Sequence, residues 1–309
     1  MGSFIIALKT VLPLFLIIFA GLIFSKTKAA SETWVDILNK YALWIGFPAL
    51  VIASLMNLEV EGESYLKLIL LNSAYIVISM LLAFPVARIF KLSKRMRSSL
   101  FLVFSFGNVA YLGIPVLFNA FGTEVLPTAA ILSAVYLFWL LTLGIILIES
   151  NSEKEIDIKK IGLNLAKNPL LISIFIGLLI VFFNLELPVI FEETIILFSD
   201  SVTAVVLFSL GIFLGFNKIG HPKEWIQVFI FAVLTMLVLP FIYYLSIKQA
   251  GLDSMQFDAS ILDASMPLGV TPYALAVQYK LETTVIARIV VLATSLSIFT
   301  IPLWMVVLS

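Results

Sequence analysis

Ten long runs of apolar residues, separated by short polar stretches, limit this chain more than any other feature. A bilayer hydrocarbon core about 30 Å thick is crossed by a helix of roughly 20 apolar residues. On that template the 309-residue sequence divides into spans at about 5–24, 34–56, 65–90, 99–121, 126–148, 168–184, 190–216, 225–247, 259–279 and 284–308. The runs are continuous, whereas membrane-barrel strands are about ten residues of alternating polarity, so the expected fold is all-α and polytopic. Hydrophobic residues make up 61% of the chain, against roughly 45–50% in a soluble domain, which excludes a soluble globule. No basic segment precedes the first run and no small-residue cleavage pattern follows it, so span 1 is expected to stay in the membrane.

Composition also removes most enzyme chemistries. There is no cysteine, hence no thiolate nucleophile or Cys-ligated zinc, and the single histidine, His221, leaves no His-rich metal site. No paired acids, Gly-x-Ser-x-Gly elbow or Gly-rich nucleotide loop occur, so neither an enzyme nor an ATP-driven pump is expected and no cofactor is implied. Basic and acidic residues number 19 each, and no basic block is long enough to suggest nucleic acid as a partner.

Lysine and arginine set the orientation. Fifteen of the 19 fall in the loops after spans 1, 3, 5, 7 and 9, including Lys26, Lys28, the cluster Arg88 to Arg97, Lys154, Lys218, Lys223 and Lys280. The loops after spans 2, 4 and 6 carry Glu59, Glu61, Glu63, Glu124, Glu186, Glu192 and Glu193 instead. By the positive-inside rule the odd loops face the cytoplasm and both termini lie outside the cytoplasmic membrane. The Arg88 to Arg97 cluster is a topology signal that also touches anionic lipid.

The longest loop, from Glu149 to Lys167, has mixed charge and no apolar run. It divides the chain into a first repeat (1–150), a short cytoplasmic linker (151–167) and a second repeat (168–309). At an offset of 156 residues Pro13 and Gly21 fall on Pro169 and Gly177; at 155 Pro85 falls on Pro240, and at 157 Pro115 falls on Pro272. Five spans is an odd number, so the second half enters the membrane from the opposite side. That is the inverted repeat from which secondary transporters are built, with the substrate at the midplane where corresponding helices are interrupted.

The fourth span of each half is the interrupted one. Span 4 reads Phe106-Gly107-Asn108 through Gly113-Ile114-Pro115, and span 9 reads Ser265-Met266-Pro267-Leu268-Gly269-Val270-Thr271-Pro272. Proline removes a helical donor and blocks the preceding turn. Asn108 and Gly269 each lie 11 residues from a flanking cation, Arg97 and Lys280, or about 16 Å of helix, which puts both breaks near the bilayer centre. Half-helix N-termini there favour an anion, so a carboxylate-like substrate is expected. The candidate binding set is Gly107, Asn108, Gly113, Pro115, Ser265, Pro267, Gly269, Thr271 and Pro272. Asn108 could equally tie down the carbonyls of its own broken helix, and Thr271 could back-bond within its turn.

These motifs resemble the auxin efflux carrier family, the bacterial relatives of plant PIN proteins that include malonate and malate permeases. The resemblance runs nearly end to end. It is carried by Leu38-Asn39-Lys40-Tyr41 with Gly46-Phe47-Pro48-Ala49-Leu50, by Gly107-Asn108 with Leu112-Gly113-Ile114-Pro115, by Asn168-Pro169 with Gly177, and by Ala264 to Val270 with Tyr279. It implies ten helices in a sodium/proton antiporter-like or bile-acid-symporter-like fold. Spans 1, 2, 6 and 7 would form a scaffold, and spans 3–5 and 8–10 a transport domain moving as an elevator around crossed spans 4 and 9. It also implies organic-anion substrates and a homodimer. The plant members carry a long loop between the halves where this chain has fewer than 20 residues, so loop-based regulation is not carried over.

Ionisable residues inside a span are functional candidates because they are costly there. Asp200 and Asp263 are the acids in question, with Lys40 paired to Asp200 at an offset of 160. Counting 18 residues from Asp200 to Lys218 and 17 from Asp263 to Lys280 puts both acids near the outer interface, where solvation accounts for them. The other reading couples them to H+ or Na+. The expected function is thus a secondary carrier of a small organic anion. A cation/proton antiporter is the alternative within transport, although the breaks themselves hold no acid, and a receptor that binds without flux is the alternative outside it.

Overall fold

The computed structural model describes residues 2–56, 64–151, 158–183, 185, 187–216 and 225–308. Glu59, Glu61, Glu63, Lys154, Glu186, Lys218, His221 and Lys223 lie outside them. In chain order the helices begin with α1 (Gly2–Phe24), then α2 (Glu32–Tyr41) and α3 (Phe47–Met56) joined by a π-helical turn at Ala42–Gly46. Next come α4 (Ser64–Leu81), α5 (Ala83–Ile89) and α6 (Lys94–Ser105), and a π-helical turn at Val109–Gly113 leads into α7 (Ile114–Phe121). A 3-10 turn (Thr123–Val125) opens α8 (Leu126–Trp139), which continues through a π-helical turn at Leu140–Gly144 into α9 (Ile145–Ser150). The rest are α10 (Ile158–Ala166), α11 (Pro169–Phe182), α12 (Val189–Phe216), α13 (Trp225–Val233) with a π-helical turn at Leu234–Val238 before α14 (Leu239–Ile247), α15 (Ser254–Ala264), α16 (Val270–Gln278) and α17 (Thr283–Leu308).

Six helical stretches, Glu32–Ala53, Tyr65–Ile89, Thr123–Ser150, Val189–Phe216, Trp225–Ile247 and Thr283–Leu308, are long and apolar enough to cross a bilayer. Leu12–Phe24, Val109–Phe121 and Pro169–Ile180 are shorter apolar helices among the described residues. Large apolar side chains point outward all along them, with Leu16 58%, Trp44 61% and Leu197 73% exposed. Such a surface is stable against lipid and not against water. The molecule is a multi-pass helical membrane protein.

One end of the bundle is basic and its helix ends are tied together there. Lys26 donates to the carbonyl of Gly215 at 2.7 Å, the Arg95 guanidinium to that of Leu281 at 2.7 Å with Glu282 3.3 Å away, and Asn151 to Lys94 and Ser98. At the opposite end Lys67 reaches the carbonyl of Gly251.

Glycine sets the closest packing. Gly211 and Gly215 on α12 face Gly21 and Ser25 on α1, and a Cβ at Gly211 would fall inside the carbonyl oxygen of Ile18 and 2.9 Å from the Cα of Gly21. This is the small-xxx-small approach that lets membrane helices meet backbone to backbone, where lipid supplies no hydrophobic drive. α12 also packs on α2 and α3, and α3 on α11, so these helices with α1 form one group. In the other group α4 packs on α6 and α8, α13 on α17, and α16 on both α6 and α17. The groups meet where α1 touches α7 and α17 and where α3 touches α8.

The linker differs from its expected form. It carries α10 over Ile158–Ala166, so the stretch read as a bare loop holds two turns of helix. The apolar positions 158, 161 and 165 recur at helical spacing, too briefly to register as a run. The π-helical turns leave extra carbonyls, which neighbouring helices satisfy: Trp304 donates to Met236 at 2.8 Å, and Ser133 faces the Val109 carbonyl at 3.5 Å.

Candidate functional site at the helix crossing

Both interrupted helices break in the middle of the molecule and the breaks touch. α6 ends at Ser105 and α15 at Ala264, and the freed segments pair as a short antiparallel bridge between Gly107 and Leu268. The Asn108 amide donates to the Pro267 carbonyl at 2.6 Å, and that of Gly269 to Phe106 at 3.4 Å. Each broken helix thus satisfies the backbone of the other, which is what buried, non-helical chain inside a membrane needs. Glycine gives the closest approach on both sides. A Cβ at Gly107 would stand 3.1 Å from the Met266 carbonyl oxygen, and one at Gly269 3.3 Å from the Asn108 Cα.

Two helices start at this crossing, the π-helical turn leading into α7 and α16, and they leave it in opposite directions. The first backbone N–H groups of a helix have no intrahelical partner, and the N-terminus carries partial positive charge. Asn108 stands where the first of them begins. It is 1% exposed, its carbonyl accepts from Leu112 and Gly113, and its side-chain Nδ2 has no protein partner.

Aromatic pairs bracket the crossing between the two helix groups. Phe47 of α3 meets Tyr111 edge-on at 5.2 Å, and Phe213 of α12 meets Tyr273 of α16 at 5.2 Å. Beyond Pro115, in the half away from the basic end, a cavity of about 330 Å³ separates the groups. Pro115, Phe118 and Asn119 of α7 form one wall and Ser199, Asp200 and Thr203 of α12 another.

Residues 6–305 match the family described as membrane transport protein. The chain belongs to that family, the family of the auxin efflux carriers. It is 23% identical to an uncharacterised transporter of Methanocaldococcus jannaschii, over 97% of this chain and 98% of the relative. A putative malonate transporter of Rhizobium meliloti is 22% identical over 94% of this chain and 92% of its own. Auxin efflux carrier component 1 of Arabidopsis thaliana is 24% identical over 35% of this chain and 17% of its own length. The relatives are transporters and not enzymes.

In this transporter the breaks are shorter than their glycines and prolines suggest. Only Phe106 to Asn108 is unwound in the first. Gly113 lies in the π-helical turn and Pro115 two residues after it, within the continuous helix Val109–Phe121, where the wide turn accommodates the missing N–H. Pro272 is likewise inside α16, third from its start, with Thr271 beside it. Ser265 is fully buried and its hydroxyl is used within its own helix, donating to Leu262 at 2.7 Å. Lys40 is exposed, and Asp200 is exposed at the cavity wall. Their chain neighbours Tyr41 and Ser201 are the ones that meet, at 2.7 Å.

Asp263 is the correction of most consequence. It is not solvated near an interface: it is 0% exposed, in the last turn of α15 directly before the break, with both carboxylate oxygens lacking a protein partner. A Cβ at Gly113 would lie 2.5 Å from its Oδ1, so the acid sits against the crossing after all. The residue count failed because it assumed an unbroken helix to Lys280, whereas Ser265 to Gly269 runs across the crossing and not along the helix axis. The aromatic brackets were missed because 26 phenylalanines spread over the chain give no positional signal. Their partners come from packing alone.

Proposed function

We propose that this protein is a secondary carrier that moves a small organic anion across the cytoplasmic membrane by alternating access. The observation that carries the reading is the crossing itself. Two helix N-termini and the unpartnered side-chain Nδ2 of Asn108 meet at a buried point that no cation among the described residues reaches, an arrangement suited to a carboxylate. The name of the malonate-transporter relative, which extends along almost the whole chain, favours a small dicarboxylate as the first substrate to try.

Ten spans in two inverted repeats make the crossing intelligible. Supporting the repeat, α6 and α15 both open on a side-chain cap, Ser93 accepting from Met96 and Asp253 from Gln256, 160 residues apart. Phe47 with Tyr111 and Phe213 with Tyr273 are corresponding contacts in the two halves. The group α1, α2, α3, α11 and α12 serves as the scaffold, and the helices bearing the crossing move against it as an elevator. The basic end faces the cytoplasm, so both termini lie outside.

The test is uptake of labelled malonate, malate and indole-3-acetate into liposomes containing the purified protein. We expect saturable uptake of at least one of them. Asn108→Ala removes an amide that pairs with an ionised group, an interaction worth about 1.5–3 kcal/mol, and should lower kcat/KM for uptake by about 10- to 100-fold. Saturable binding without flux would favour a receptor. The buried Asp263 gives the antiporter reading a specific observation in its favour, and sodium-driven proton movement without carboxylate flux would establish it instead.

A further inference from the structure

Asp263 shares the crossing with the groups assigned to the anion, and neither the fold nor the anion site needs it to be an acid. Its carboxyl packs against Gly113, whose missing Cβ makes the room, and the same Cβ position lies 3.5 Å from the carbonyl oxygen of Asn108. The carboxyl therefore lies against the helix that Asn108 opens, about one turn from its start.

Among the described residues its surroundings hold no counter-charge. α15 packs against α4, α8, α14, α17, α7 and the turns at Val109–Gly113 and Thr123–Val125. The titratable groups these elements bring to the middle of the molecule are Tyr75, Tyr136, Tyr243 and Tyr111, all phenols, and Tyr75 stacks on Tyr243 at 4.4 Å. Tyr65 and Lys67 on α4, Tyr244 on α14, Arg288 on α17 and Glu124 in the turn stand toward the helix ends. Among the described residues no ion pair reaches the carboxyl, and neither of its oxygens has a hydrogen-bond partner.

An unpaired carboxylate enclosed this way costs several kcal/mol, and a second anion beside it would add like-charge repulsion. The crossing thus holds one negative charge at a time. When a substrate anion occupies the Asn108 amide and the helix N-termini, Asp263 is the neutral acid. When the substrate leaves, the carboxyl gives its proton to water and its carboxylate takes over those donors.

We propose that Asp263 couples the carrier to protons, so that each organic anion crosses together with one proton held on this side chain. The transfer is a simple exchange between the carboxyl O–H and water, taken up on one side of the membrane and released on the other. By linkage, anion binding and proton binding strengthen each other to the same extent, so substrate affinity rises as pH falls. This rests on the anion-carrier reading above.

The experiment uses liposomes containing the full chain with a pH-sensitive dye in the lumen and labelled malonate, malate or indole-3-acetate outside. Wild-type uptake should accelerate when the outside is acidified and should acidify the lumen as the anion enters, without need of sodium. In Asp263→Asn, which keeps the shape and cannot ionise, the pH dependence and the lumen acidification should both be lost. Because that variant could fold poorly, a second measurement uses the wild type alone: adding the transported anion to purified protein in weakly buffered solution should draw protons from the medium. Saturable uptake that ignores pH, or binding with no proton uptake, overturns the coupling and leaves the carrier standing. Uptake driven by sodium in place of protons also overturns it. Failure of every carboxylate to enter removes the carrier reading and the coupling together.

Discussion

Gly211→Leu is expected to prevent the protein from being recovered as a folded, monodisperse species in detergent. The α1 and α12 backbones are in contact at this point, and the first atom a side chain would add already overlaps the Ile18 carbonyl oxygen. No flexible side chain can move aside, so the helices must separate along a contact that also includes Gly215 against Ser25. Overpacking a well-fitted core costs about 1–3 kcal/mol and occasionally more, and here the displaced groups are main chain, so we expect the upper end or beyond. Thermal unfolding followed by size-exclusion chromatography reads the loss. Gly162→Leu is the control, since a Cβ there meets nothing within 4 Å; a Gly211→Leu protein as stable as that control would contradict the packing described.

The second large effect concerns transport. Gly107→Val should leave a folded protein whose initial rate of uptake falls at least about tenfold, the equivalent of 1.4 kcal/mol. A Cβ at Gly107 would stand 3.2 Å from the Met266 Cβ and 3.4 Å from the Asp263 carbonyl oxygen, as well as close to the Met266 carbonyl. The two bridging segments must then part, and the Asn108 to Pro267 hydrogen bond lengthens with them. Unlike Gly211, the site is flanked by chain that is already non-helical, so the strain is taken up locally. Full uptake with an unchanged KM would show that the close pairing of the breaks is irrelevant to transport.

Much of this was legible in the residues. The apolar runs mark the long helices because hydrocarbon accepts little else, and Gly107, Pro267 and Gly269 mark the breaks because no other residues interrupt a buried helix so economically. Gly211 and Gly215 could also have been read, being four apart in an apolar run, and they identify the face of α12 that meets α1. Asp263 was legible as an unusual residue but not as a buried one, since depth depends on the path of the chain through the break. Pro272 does not break its helix, because a proline in a first helical turn removes an N–H that has no partner there, whereas Pro115 follows a π-helical turn that no residue pattern announces. The pairing of Phe47 with Tyr111 depends on how two helix groups dock, a property that no local pattern encodes.

The π-helical turn at Val109–Gly113 also fixes the rotational phase of everything after it. Such a turn holds one residue more than the regular helix it interrupts, and each helical residue advances the face by about 100°. Were one residue lost from Val109–Gly113, the wide turn would close to regular helix and α7 would keep its phase, so Pro115, Phe118 and Asn119 would stay on the cavity wall. The same loss inside α7, where no wide turn can absorb it, would rotate every residue beyond it by roughly that angle. The turn is therefore the place in this helix where a change of length leaves the cavity wall in register.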